Sequence, residues 1–281
     1  MKLLPAQSVC RLAAIIVSLT FSLAPLTGCS QGAETGGEST ANIDVPPIYV
    51  AQTLVMKEAG ESMVEKSYRQ LLKACHDAAM ATTPLSEDDV KRLGRTYYQL
   101  WFDSKHSAWQ IDVWDFGAGD DPNDSCQFHM ENESRKVVIT AKTQLSIDLM
   151  AKTATSIASS GFMPGGPADP DDDDRLDAAA EKTLGIQRLG YATDAGQRCL
   201  RWRMNDTESC TWSDGRKWGF PEGENSNQAT SYDPGDIVLW VHPGNAPGFE
   251  LTTQKMTVGG EPFDDDVFAP PSGVSVKKGG S

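Results

Sequence analysis

Strand-length runs dominate this chain, and they restrict its fold more than any other feature. Trp109, Ile111 and Val113 alternate with Gln110 and Asp112. Successive side chains on a strand point to opposite faces, so this alternation describes a strand with one buried face. Residues 97–102 form a second aromatic run, and the polar residues 103–107 between the two supply a turn, so the pair reads as a hairpin. Residues 126–130 and 135–140 read as another strand pair, turning at Asn132 and Glu133. Beyond a break at 161–177, residues 186–192, 197–204, 208–220, 237–242 and 249–258 are strand-like in succession, with Gly- and Pro-rich turns between. A βαβ chain would interpose a helix at each step. The fold class is therefore α+β, mostly β: an antiparallel meander with one or two helices.

The helices are less settled. Residues 49–56 are rich in β-formers and residues 58–61 offer a turn. Residues 62–70 fit a returning strand. They also fit a helix, because Val64, Tyr68, Leu71, Leu72, Cys75 and Ala79 recur at three- and four-residue spacing. Ser86 with Asp89 has the spacing of a capping box, which starts a short helix through Val90 and Leu93 that Gly94 stops. Leu149, Met150, Thr153 and Ile157 suggest one more helix.

Charge and the first residues say where such a domain works. The 281 residues carry 39 acidic and 25 basic side chains, a formal charge of −14. Nucleic-acid binding needs clustered Lys and Arg, so it is not expected. Residues 1–28 differ from the rest: Lys2 and Arg11 with no acid, then an apolar stretch at 12–26. That stretch is shorter than the roughly 20 residues of a spanning helix, and its order matches an export signal. Leu26-Thr27-Gly28-Cys29 resembles the lipobox of bacterial lipoproteins. The resemblance implies cleavage before Cys29 and its acylation. Ser30, where an Asp would imply inner-membrane retention, points to the periplasmic face of the outer membrane. Residues 30–47 are Gly-, Ser-, Thr- and Glu-rich and read as a tether with a root-mean-square span on the order of 24 Å. The expected organisation is a signal peptide at 1–28, lipidated Cys29 with its tether to 47, one domain at 48–276 and a short tail at 277–281.

Of six Cys, Cys10 leaves with the signal and Cys29 takes lipid. Cys75, Cys126, Cys199 and Cys210 remain, an even number in an exported chain, which predicts two disulfides. Folding residues 199–210 about their polar midpoint sets Cys199 opposite Cys210, leaving Cys75 with Cys126. The rival is a zinc site from Cys75, His76, Cys126 and His129. Paired-Cys zinc spacing is absent and the compartment is oxidising, so the disulfide is favoured.

No nucleophile elbow, His-Glu-x-x-His, P-loop or dinucleotide fingerprint occurs. The acidic run Asp171 to Asp174 fails as an EF-hand: counted from Asp169, position six is Asp174 and position twelve is Ala180. Asp112 and Asp115 form one carboxylate pair that an unrecognised hydrolase would use, but in so acidic a chain such pairs arise by chance. No catalytic residue, metal or cofactor is expected. Seven Trp stand out: Trp101, Trp109, Trp114, Trp202, Trp212, Trp218 and Trp240. They either line a ligand cavity or pack a curved sheet.

Short pieces in order then suggest a family. Ala195-Gly196-Gln197-Arg198-Cys199-Leu200-Arg201-Trp202, Cys210-Thr211-Trp212-Ser213-Asp214-Gly215 and Phe268-Ala269-Pro270-Pro271-Ser272-Gly273-Val274 resemble segments of LolA-like periplasmic proteins. Residues 49–68, centred on Gly60, and 103–109 are similar to their opening hairpins. The resemblance implies an incomplete β-barrel with a few helices on its concave side. It favours a hairpin over a helix for 49–70. It also implies a non-catalytic module that holds a lipid, an acyl chain or an envelope partner, working as a monomer. A structural envelope protein without a cavity is the alternative. The lipobox reading predicts that Cys29→Ser shifts the protein from the membrane to the soluble fraction, read by fractionation and by the mass of the mature N-terminus.

Overall fold

The computed structural model describes residues 44–119, 124–159, 164, 181–183, 185–220 and 237–279. Cys29, most of the tether and nearly all of the acidic stretch 161–177 lie outside these residues.

The chain enters the sheet through strand β1 (Ile48–Glu58). Ala59 and Gly60, both at positive φ, reverse it, and a two-residue return, β2 (Glu61–Ser62), pairs with its end. There the expected returning strand stops. Ser62 accepts a hydrogen bond from the Glu65 amide and caps helix α1 (Met63–Asp77). The hairpin implied by the resemblance for 49–70 is therefore corrected: the helical spacing of Tyr68 and Cys75, both buried, outweighs it. Helix α2 (Glu87–Val90), capped by Ser86, follows where expected but ends at Val90, with turns in place of helix through Leu93.

β3 (Arg95–Phe102) and β4 (His106–Gly117) make the expected hairpin. β5 (His129–Thr140) is one strand, not two. Asn132 and Glu133 do not turn, because β4 is long enough to pair with both, through Trp114 and Val113. β6 (Thr143–Asp148) and β7 (Thr153–Ala158) continue the meander. The helix expected at 149–157 is a turn and a strand. The Asp148 carboxylate accepts from the Met150 and Ala151 amides and closes the turn, and the β-branched Thr153 and Ile157 suit the strand.

The second meander runs β8 (Ile186–Asp194), β9 (Gln197–Met204), β10 (Thr207–Trp212), β11 (Val238–His242) and β12 (Gly248–Val258). The expected strand at 208–220 ends at Trp212; a 3-10 turn at Asp214–Trp218 follows. After β12 comes another 3-10 turn, Asp265–Phe268, and β13 (Ser275–Lys278) adds in parallel to β7. The strand order is β13-β7-β6-β5-β4-β3-β1-β12-β11-β10-β9-β8, with β2 on β1. The result is mostly β: one large, curved, unclosed sheet with few helices, an incomplete barrel. The packed unit extends past the expected limits at both ends. Val45 is 2% exposed in the main core, and Lys277 and Lys278 lie in β13.

The main core shows the curl. Ile48, Val50, Leu100 and Phe102, from the middle of the sheet, pack with Cys199, Cys210, Trp212 and Leu239, several strands away. Strands sit about 4.8 Å apart, so these side chains meet only because the sheet bends round. Both expected disulfides are present, Cys75–Cys126 and Cys199–Cys210. The first ties α1 to the loop before β5; the second joins β9 to β10 inside the main core. Loop-closure entropy favours the bridge with a sequence separation of 51 over the one with a separation of 11. Replacing both Cys by Ala should cost about 4 kcal/mol at 75/126 and about 3 kcal/mol at 199/210, measured by denaturant unfolding.

Candidate functional site

The structure disperses the seven Trp. Trp212 is a core residue, 1% exposed, tilted against Trp218 (5.8 Å between ring centroids) and Phe220 (5.4 Å). Trp109, Trp218 and Trp240 are half-buried against the same core. Trp202 belongs to a separate cluster with Ile186 and Leu200. The Arg188 guanidinium lies 4.8 Å from its ring and is ion-paired to Glu181 at 2.6 Å. Trp114 sits under Arg92, 4.9 Å away. Packing accounts for these six.

Trp101 is different. Cross-strand partners share a face, so the register assigns Tyr49, Trp101, Ala108 and Val138 to one row. The next row is Ala51, Gln99, Gln110 and Lys136, and the one beyond is Thr53, Tyr97, Asp112 and Ser134. At one end of this face α1 packs down: Tyr68 makes edge contacts with Phe116 (5.4 Å) and Phe128 (5.3 Å). At the other end Phe268 of the C-terminal 3-10 turn stacks on His106 at 4.4 Å. Between these covers lies a polar and aromatic strip.

Its groups hold one another in place. The Gln99 amide donates to the Tyr49 hydroxyl (2.9 Å). The Gln110 amide (3.0 Å) and the Ser134 hydroxyl both donate to the Asp112 carboxylate. The Gln254 amide donates to the Thr53 hydroxyl. Tyr49 leans on Trp101 with centroids 5.7 Å apart. Toward β12 the strip is open, since Thr252, Gln254 and Lys255 are exposed there. The Lys255 ammonium lies 5.7 Å from the Tyr49 ring.

The unexpected member is Lys136. It is 8% exposed, yet no carboxylate among the described residues lies within ion-pair distance of it. Its Nζ is 5.2 Å from the Trp101 ring centroid. To reach β3 from β5 the side chain crosses β4 beside Ala108, whose small side chain leaves the path clear. A ring face attracts a cation by about 0.5–2 kcal/mol, less than burying the charge costs. Burial accordingly lowers the Lys136 pKa below its ordinary 10.5. Nothing in the sequence singled it out.

The other sequence candidates resolve plainly. Asp112 and Asp115 are three residues apart on one strand and point to opposite faces, so they do not converge. The Cys75 and Cys126 sulfurs are bonded to each other, while His76 and His129 are exposed, so the zinc reading falls. Among the described residues no three His, Cys, Asp or Glu side chains group as metal ligands, and no helix is long and apolar enough to cross a membrane.

No protein-family model matches the chain, and no curated protein matches it. Among solved structures it is similar to an uncharacterized conserved protein from Thermus thermophilus, with 6% identity and a TM-score of 0.36, over 83% of this chain and 91% of that one.

A lysine whose pKa is lowered on folding opposes folding while charged, and the penalty fades as pH rises through the lowered pKa toward 10.5. Lys136→Met should therefore unfold at a higher denaturant midpoint than wild type at pH 7, with the gap narrowing by pH 10. Paired unfolding curves at the two pH values check this.

Proposed function

We propose that this chain is a non-catalytic, lipid-anchored module of the bacterial envelope that binds an amphiphile, a lipid or another molecule with an acyl chain, on the strip between α1 and the C-terminal turn. The observation that carries this reading is the strip itself. In the middle of a large unclosed sheet, Tyr97, Gln99, Trp101, Gln110 and Asp112 are half-buried but not covered by the elements that close its two ends. Ligand sites commonly combine aromatic walls with a few fixed polar groups, and here the polar groups are held by neighbours. The lipobox at Cys29 and the two disulfides support an oxidising compartment outside the cytoplasm. The likeness to LolA-like proteins in the sequence supports a half-barrel that carries a hydrophobic ligand. The acidic balance of the chain favours attachment through Cys29 over surface contact with anionic lipid. We place it on the periplasmic side of the outer membrane, as a monomer.

A fluorescent fatty-acid analogue tests the site. It should bind the wild-type protein and be displaced by unlabelled long-chain amphiphiles. Trp101→Ala should weaken binding at least tenfold while shifting unfolding by only about 1 kcal/mol, because Trp101 is half-buried and most surface-proximal substitutions cost little. An undiminished affinity in that variant moves the ligand elsewhere.

A further inference from the structure

We propose that Lys136 selects the ligand's charge: the strip binds amphiphiles whose head group is an oxyanion, and the Lys136 ammonium is its counter-ion. This rests on the reading of the strip as the ligand site and says what chemistry that ligand carries.

The first support is the contrast with five half-buried cations that do have a carboxylate partner. Lys57 pairs with Glu250, Lys66 with Glu58, Arg188 with Glu181, and Arg201 and Arg203 with Glu208. All of these are more exposed than Lys136. The chain has 39 acidic side chains to draw on, yet the most deeply placed lysine has none beside it among the described residues. A lysine enclosed to this degree, with no carboxylate beside its ammonium, lowers stability. An arriving carboxylate or phosphate relieves that penalty, whereas a neutral head group does not.

The second support is what surrounds the ammonium. Trp101 lies under it, so the cation is held on one side by a ring that contributes no charge. Gln110 is its direct cross-strand neighbour, and the Gln110 amide is turned to Asp112. Asp112, one row away, is already bonded by Gln110 and Ser134; it lies beyond ion-pair distance of Lys136 and fixes the polar row. Among the described residues, the other titratable groups in these three rows and their β12 continuation are Tyr49, Tyr97 and Lys255. Lys255 stands over Tyr49 at the open side, which adds a second positive charge on the route inward. Among the described residues these rows thus carry two cations and one carboxylate, which already accepts from Gln110 and Ser134. A charge-assisted N–H···O bond of about 2.7–2.9 Å to the head group would leave the ligand's tail to Trp101 and Tyr49.

The test compares head groups on one tail. The full chain carrying Cys29→Ser, so that its own acyl groups do not compete, is titrated calorimetrically with dodecanoate, dodecanol and acetate. Wild type should bind dodecanoate at least tenfold more tightly than dodecanol. Lys136→Met should abolish that preference while keeping its dodecanol affinity, and Lys136→Arg should restore it. Lys136→Met should also unfold later than wild type without ligand, the opposite of what a lysine with a purely structural role gives. Equal wild-type affinity for dodecanoate and dodecanol overturns the proposal and leaves the amphiphile site standing. Binding of neither overturns the site, and the selectivity proposal with it. Acetate bound as tightly as dodecanoate, through Lys136, keeps the oxyanion and removes the tail. Should Lys136→Met fail to fold, Lys136→Gln gives the same comparison.

Discussion

Everything in this fold depends on β1 being hydrogen-bonded along both edges. Its register with β3 runs from Ile48 opposite Phe102 to Val55 opposite Arg95, and its register with β12 from Ile48 opposite Val258 to Lys57 opposite Gly248. One meander leaves from β3 and the other arrives at β12, so β1 is the seam that makes two sheets into one. On its core face Ile48, Val50 and Leu54 are buried; on the strip face Thr53 and Val55 are buried while Tyr49 and Ala51 are half-buried. Gln52 locks the register at the bulge beside it. It is 1% exposed, and its amide donates to the Val238 carbonyl (2.6 Å) and the Thr253 hydroxyl (2.9 Å). An apolar residue there would leave the Val238 carbonyl short of a donor, and a one-residue slip would turn every side chain of β1 to the wrong face.

From that seam the two wings curl differently on the two faces. On one, Ile48, Val50, Leu100 and Phe102 meet Trp212 and Leu239 and form a core with the Cys199–Cys210 bridge inside it. On the other, the cover among the described residues comes from attached pieces: α1, tied down by Cys75–Cys126, and the C-terminal turn that brings Phe268 to His106. The strip between those pieces keeps polar side chains that a closed core would exclude. Under the proposed reading, its mutually bonded groups would leave little side-chain freedom to lose on binding a ligand.

The sequence revealed the strands well and the inside of the strip poorly, for physical reasons. Alternation of period two was legible in β4 because Trp109, Ile111 and Val113 stand against Gln110 and Asp112. Folding the 199–210 hairpin paired Cys199 with Cys210, and elimination left Cys75 with Cys126. The helix at 63–77 was visible in the spacing of Tyr68 and Cys75, but pattern alone left a strand equally open and the family resemblance favoured the hairpin; the Ser62 cap fixes the helix. The turn read at Asn132 and Glu133 was a local preference overridden by the ladder with β4. In β5, Arg135 and Lys136 are neighbours, so one cation must face each side. Only the structure tells which one is covered: Arg135 is exposed and pairs with Glu133, while Lys136 is enclosed. The Trp count drew attention to a cavity, yet six of the seven rings are accounted for by packing, and Trp101 stood out only once Lys136 was seen above it.

The most direct measurement is a crystal structure of the mature chain with an anionic amphiphile bound. The account predicts the head-group oxygen within about 2.7–2.9 Å of the Lys136 Nζ, the tail against Trp101 and Tyr49, and no ligand among Trp109, Trp212, Trp218 and Trp240. A ligand bound in the main core, or a strip filled by the protein's own side chains with the amphiphile elsewhere, would contradict it.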